Sequence, residues 1–118
     1  AVGLERYAGM QGRSLWPILS GQGGLDTHRK DVYSEYYNAN FHHEPHAYAT
    51  MVRTEQYKLV AVHGMDAGEL YDLKQDPTET HNHWEDAAYQ GVKMQMLKRL
   101  CDRMAWTIDP LPVRQSPW

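Results

Sequence analysis

The chain has 118 residues, which suits one compact domain and leaves little room for two. With 42% hydrophobic and 23% charged residues it can build a packed core, and disorder is disfavoured. A net charge of −3 and no basic run longer than Arg29-Lys30 argue against a nucleic-acid or polybasic membrane surface.

No apolar run approaches the roughly twenty residues that span a bilayer, and residues 1–10 lack a signal-peptide pattern. The single cysteine, Cys101, excludes an intrachain disulfide. No internal repeat or low-complexity tract is present.

Residues 1–30 read as an irregular lead-in, because Gly3, Gly9, Gly12, Gly21, Gly23 and Gly24 interrupt any long element. Inside it, SLWPILSG predicts one helical turn, with Ser14 as N-cap and Gly21 closing it. Strands are expected over 31–38, 47–54, 56–63 and 68–73, where β-branched and aromatic residues dominate. Glu55 alone separates the second from the third, and a turn around Gly64 and Gly68 leads to the fourth. Such short connections favour antiparallel pairing. The longer link 39–46 contains Pro45 and is expected to be an exposed loop.

The period then changes. Tyr89, Val92, Met96, Leu100 and Met104 recur at three and four residues, with Leu97 and Cys101 widening the stripe. Lys93, Gln95, Lys98, Arg99 and Asp102 fill the other face. This predicts a helix of about five turns from near Asp86 to near Trp106, covering one side of the sheet. The fold class is α+β: about four antiparallel strands packed against a long C-terminal helix. One domain spans 1–118, with strands over 31–73, helical structure over 76–106 and an extended proline-rich tail over 107–118.

The stretch GELYDLKQDPTETHNHW (68–84) concentrates Glu69, Asp72, Asp76 and Glu79 with His81 and His83. Asp76-Pro77-Thr78-Glu79 reads as an aspartate capping box with proline at the first helical position. Asp72 and Asp76 are then expected to serve turns and helix starts. His81 and His83, two residues apart, are expected on different faces, so a structural reading outweighs a metal site.

His42, His43 and His46 beside Glu44 make a sharper case for function, since imidazoles and a carboxylate on one loop can hold zinc. A solvated loop at the rim of something larger is the competing reading, and no metal ligand is assigned. No serine sits in a glycine-flanked elbow, and Gly23-Gly24 precedes no Lys-Ser/Thr that would cradle phosphate. Cys101, on the apolar stripe, is expected to be a core thiol. No catalytic set is visible.

The ordered segments MQGRSLWPILSG, RKDVYSEYYN, MVRTEQYKLV and GELYDLKQDPTETHN, with a final DPLP, resemble the C-terminal subdomain of type I sulfatases. These belong to the alkaline-phosphatase-like hydrolase superfamily. The resemblance runs over nearly the whole chain in the family's order, and ELYDL..DP.E..N with upstream MVRT..YKL is specific in combination. It implies a parent enzyme with an N-terminal catalytic domain as partner, a sulfate ester as substrate, and a formylglycine beside a calcium-like divalent metal as cofactors. The formylglycine motif C/S-x-P/A-x-R is absent: Cys101 is followed by DRMA, and no serine fits. No catalytic residue is carried over.

The resemblance further implies that the subdomain walls a substrate pocket. His42, His43, His46 and Arg53, with Lys58, are the candidates for substrate contact. For Arg53 a cross-strand ion pair with Glu35 competes; Lys58 reads as a solvated strand residue. Two alternatives stand beside this reading. One is the tail of a phosphonate or phosphate ester hydrolase of the same superfamily. The other is a free-standing sugar-binding module using Tyr33, Tyr36, Tyr37, Tyr48 and Tyr57. A surface that fits a catalytic domain is also expected to make the isolated chain self-associate.

Overall fold

The computed structural model describes residues 3–5, 10–24, 26, 28–37 and 48–107. A short helix α1 (Trp16–Leu19) precedes four strands, β1 (Val32–Tyr37), β2 (Tyr48–Arg53), β3 (Tyr57–His63) and β4 (Ala67–Asp72). A 3-10 turn (Ala87–Tyr89) then runs into the helix α2 (Gln90–Trp106). The strands form one antiparallel sheet in sequence order, and α2 packs on its two central strands, β2 and β3.

Register follows from burial. Tyr33, Val52, Leu59 and Leu70 lie opposite one another in a row across all four strands. The last three are fully buried, and Met96 and Leu100 of α2 close the core over them. Alternation along each strand carries the helix side on through Thr50, Ala61 and Gly68, and turns Met51, Val60 and Glu69 to the opposite side. A one-residue slip would send the whole row into water, so the register is strongly specified.

The tight β2–β3 connection is held by Thr54. Its N–H donates to the Tyr57 carbonyl at 2.8 Å, and its Oγ1 accepts from the Tyr57 N–H at 2.9 Å. In α1 the expected turn is present, but its N-cap is Leu15 and not Ser14; Ser14 Oγ accepts the Trp16 N–H at 3.1 Å, and Gly21, after the C-cap Ser20, closes the turn at φ 71°. That left-handed conformation suits glycine.

Two local expectations are overturned. Residues 76–86 are not helical. The Asp76 carboxylate accepts the N–H groups of Thr80 at 2.6 Å and His81 at 2.8 Å, four and five residues on, whereas a helix cap takes those two or three residues on. Glu79 at φ 57° then leaves the right-handed path, and the cap of the 3-10 turn falls to Asp86, which accepts from the Ala88 N–H at 2.9 Å. Cys101 is exposed, not a core thiol. It follows Leu100 by one residue, about 100° round the helix, which carries it off the buried stripe.

Asp31, just before β1, ties the sheet edge to α2. It is buried, and its carboxylate accepts from Arg99 and from Arg103 Nε, each at 2.6 Å, and also from Arg103 Nη2. Burial alone would raise its pKa, but the hydrogen bonds and charges of Arg99 and Arg103 outweigh it and hold the carboxyl below the ordinary 3.8. A carboxylate depressed on folding contributes stability above its unfolded pKa and loses it as pH falls through the folded value. Asp31→Asn should therefore lower the urea midpoint at neutral pH. The gap to the parent chain should close as pH is taken well below about 4. A gap unchanged across that range would mean that the charge pair does not set the difference.

Candidate functional site

The GELYDLKQDPTETHNHW stretch is an edge cover. β4 is a terminal strand, and an open edge invites association with other strands. Asn82 takes the place of a fifth strand: its Oδ1 accepts the Leu70 N–H at 2.9 Å, and its Nδ2 donates to the Gly68 carbonyl at 3.0 Å. The His83 N–H completes the cover by donating to the Leu70 carbonyl at 2.8 Å. Trp84 lies flat over Gly68, where any side chain would collide with the indole.

The acidic residues of the stretch hold this loop. Asp72, buried, accepts from the Lys74 N–H at 3.1 Å and from Gln75 Nε2 at 3.1 Å. Backbone donors, His81 first, hold the Asp76 carboxyl below its usual range. Glu79 pairs with Lys58, which also lies 5.7 Å from the Tyr71 ring centroid. Lys58 is thus a partnered residue of the loop anchor, which the strand pattern alone could not reveal. Asp72 serves a turn, as expected, and Asp76 ties the loop where a helix start was expected.

The ionisable residues fall into two surfaces. At the end of the sheet, Arg53 shares a cleft with Asp26, Arg29, Lys30, Val32, Thr54 and Glu55. The expected pairing of Arg53 with Glu35 does not occur. The register sets Arg53 opposite Val32 and Lys58, and Glu35 opposite Thr50. Glu35 instead accepts the Tyr33 hydroxyl at 2.7 Å and the Tyr37 hydroxyl at 3.2 Å. Arg29, Lys30 and Arg53 have no ion-pair partner among the described residues, and the cleft sets these three cations beside the carboxylates of Asp26, Asp31 and Glu55. Arg29 and Lys30 are visible in the sequence as a basic pair, but nothing there joins them to Arg53. His42, His43 and His46 lie outside the described residues.

The second surface joins His81, His83 and Asp86. The two imidazoles meet edge to face with centroids 4.6 Å apart, and His83 stacks on Tyr89 at 3.9 Å. Spacing by two sets side chains on different faces of a helix, but this segment is not helical and folds so that the two rings meet. The Ala88 N–H, then His83, hold the Asp86 carboxyl below its usual range, so it is ionised at neutral pH.

The tyrosines do not form one platform. Tyr33 and Tyr57 pack against the core, Tyr37 meets Tyr48 at 5.9 Å, and alternation turns Tyr36 to the opposite side of the sheet.

Residues 1–105 match the family model described as N-sulphoglucosamine sulphohydrolase, C-terminal. The N-acetylglucosamine-6-O-sulfatase of Bacteroides thetaiotaomicron is 31% identical over 101 residues, 84% of this chain and 18% of that protein. A structure solved in complex with its substrate, D-glucosamine-2-N,6-O-disulfate, has a TM-score of 0.74 at 28% identity over 97% of this chain and 23% of that one. The phosphonate monoester hydrolase of Agrobacterium radiobacter gives 0.67 at 26% identity, over 83% of this chain and 21% of that one. The chain spans about a fifth of the length of each of these three relatives.

With these matches, the four-stranded antiparallel sheet and one long helix are those of the C-terminal subdomain of alkaline-phosphatase-like hydrolases. Within that class the chain belongs to the sulfatases, in the N-sulphoglucosamine sulphohydrolase C-terminal family. Formylglycine has no place among the described residues: Cys101 sits inside α2 and is followed by Asp102, Arg103, Met104 and Ala105.

Proposed function

We propose that this subdomain packs beside an N-terminal catalytic domain and walls its pocket, in an enzyme that hydrolyses the sulfate ester or sulfamate of an amino sugar. Formylglycine and a calcium-like divalent metal then belong to the catalytic domain, and no step of the chemistry falls to this chain. The cations of Arg29, Lys30 and Arg53, gathered at one end of the sheet with no ion-pair partner among the described residues, carry the reading. A sulfated sugar is an anion, and its cleavage releases sulfate, which is also an anion. Fixed guanidinium and ammonium groups at the pocket rim attract it and orient it without taking part in bond breaking. Arg53 is the substrate contact among the described residues; the register sets it at the Val32 end of the sheet, away from the Tyr37–Tyr48 end that residues 38–47 connect, so His42, His43 and His46 are separate candidates for contact with the sugar.

The sheet side away from α2 supplies the packing surface. It carries Ala49, Met51, Val60 and Val62 in its centre, and none of the described helices covers it. The named substrates of two relatives, both glucosamine derivatives, support the choice of an amino sugar. The phosphonate hydrolase shares the fold and gains no support from this surface over a sulfatase.

The test uses the full-length enzyme. Arg53→Ala should raise KM for a sulfated glucosamine about tenfold and leave kcat within about twofold, the pattern of lost uniform binding. The isolated chain should not turn over an aryl sulfate. An unaltered KM would remove Arg53 from the pocket, and turnover by the isolated chain would refute the division of labour.

A further inference from the structure

His81, His83 and Asp86 bring three metal-ligating side chains together, with ligand atoms all within 4.8 Å of one another. We propose that these residues form a zinc site that fastens the edge-cover loop to the start of α2.

The geometry is close to a coordination shell. His83 Nδ1 and Asp86 Oδ2 stand 3.2 Å apart. Zinc–ligand bonds of about 2.0–2.2 Å at tetrahedral angles set neighbouring ligand atoms about 3.3 Å apart. A cation can therefore enter between them with little movement. His81 closes the third position by a rotation of its exposed ring.

The backbone beneath all three is already fixed. The His81 N–H donates to Asp76 at 2.8 Å, the His83 N–H to the Leu70 carbonyl at 2.8 Å, and the Asp86 N–H to the His83 carbonyl at 3.0 Å. The Ala88 N–H holds Asp86 Oδ1 at 2.9 Å and leaves Oδ2 toward the histidines. Such outer hydrogen bonds orient ligands and sustain affinity.

The donor set selects the metal. Two imidazole nitrogens and one carboxylate oxygen suit zinc, whereas calcium and magnesium prefer shells made wholly of oxygen. Tyr89 walls one side by stacking on His83, and the exposure of His81 leaves a fourth position for water. A simple hydrogen bond between His83 and Asp86 accounts for two of the residues. It does not need His81, and that difference makes the proposal testable.

Zinc chloride is titrated into the untagged chain by calorimetry, and melting is followed with and without zinc. One zinc should bind per chain, and zinc at a hundredfold over Kd should raise Tm by roughly 10 °C. His81→Ala should leave the zinc-free Tm unchanged and weaken binding at least about tenfold, the loss expected even for outer partners of a ligand. Asp86→Asn, which keeps an acceptor for the Ala88 N–H, should do the same. No saturable binding below about 0.1 mM would overturn the site. So would binding of equal strength in both variants, which would locate zinc elsewhere on the chain.

Discussion

Leu100→Ala should lower the unfolding free energy by about 2–5 kcal/mol, the usual cost of truncating a buried leucine. Leu100 is 2% exposed and packs with Val52, Leu59, Leu70 and Met96, the whole buried cluster of the described residues. Ala at this site leaves a cavity between α2 and the two central strands that neither element can collapse without breaking the sheet register. Against a typical total of about 5–15 kcal/mol, such a loss leaves a measurable unfolded population near physiological temperature. Urea unfolding reads it as a lower midpoint at constant slope. A loss under about 1 kcal/mol would place the α2 face outside the core.

Gly68→Ala should cost about 1–3 kcal/mol, although it adds one methyl group to a strand. The new carbon would stand 2.4–2.5 Å from three ring atoms of Trp84. The indole cannot easily withdraw. Lys93 Nζ sits 3.8 Å from its ring centroid and donates to its carbonyl at 2.9 Å, and Asn82 holds its N–H at 2.9 Å. Replacing Trp84 by Leu should make the glycine substitution milder, and a double-mutant cycle should show coupling of about 0.5–3 kcal/mol. Additive single effects would mean that Trp84 does not lie on Gly68 in solution.

These two sites differ in how far the sequence announces them. Leu100 stands on a helical stripe of Tyr89, Val92, Met96, Leu100 and Met104, and its burial is legible from spacing alone. Gly68 reads in the sequence only as a turn or a strand start. That an indole sixteen residues later needs its missing side chain is a fact of the loop's path across β4. The candidate sites divide in the same way. Arg53 was visible as a cation on a strand, but its partners were not. Its expected pairing with Glu35 fails because burial of the row through Tyr33 and Val52 sets the register, and Arg53 then faces Val32. The His81–His83 contact is not legible in the sequence, where the segment reads as an approach to a helix. The available clue was Asp86, three residues beyond His83.

The sequence by itself determined the elements and the family: four strands of period two, one helix of period 3.6, and the ordered motifs of a sulfatase C-terminal subdomain. Those signals are local, since each is carried by residues a few positions apart along the chain. Only the tertiary structure decided that Asp76 ties a loop instead of starting a helix. Both outcomes use the same aspartate, proline and glutamate, and both satisfy the carboxylate with nearby N–H groups. The choice is made by the unpaired edge of β4, whose Leu70 N–H and Gly68 carbonyl need the partner that Asn82 supplies when the loop stays extended. The junction of Asp31 with Arg99 and Arg103 was decided likewise, between groups about seventy residues apart, because burying one carboxylate requires cations that only the packed helix brings to it.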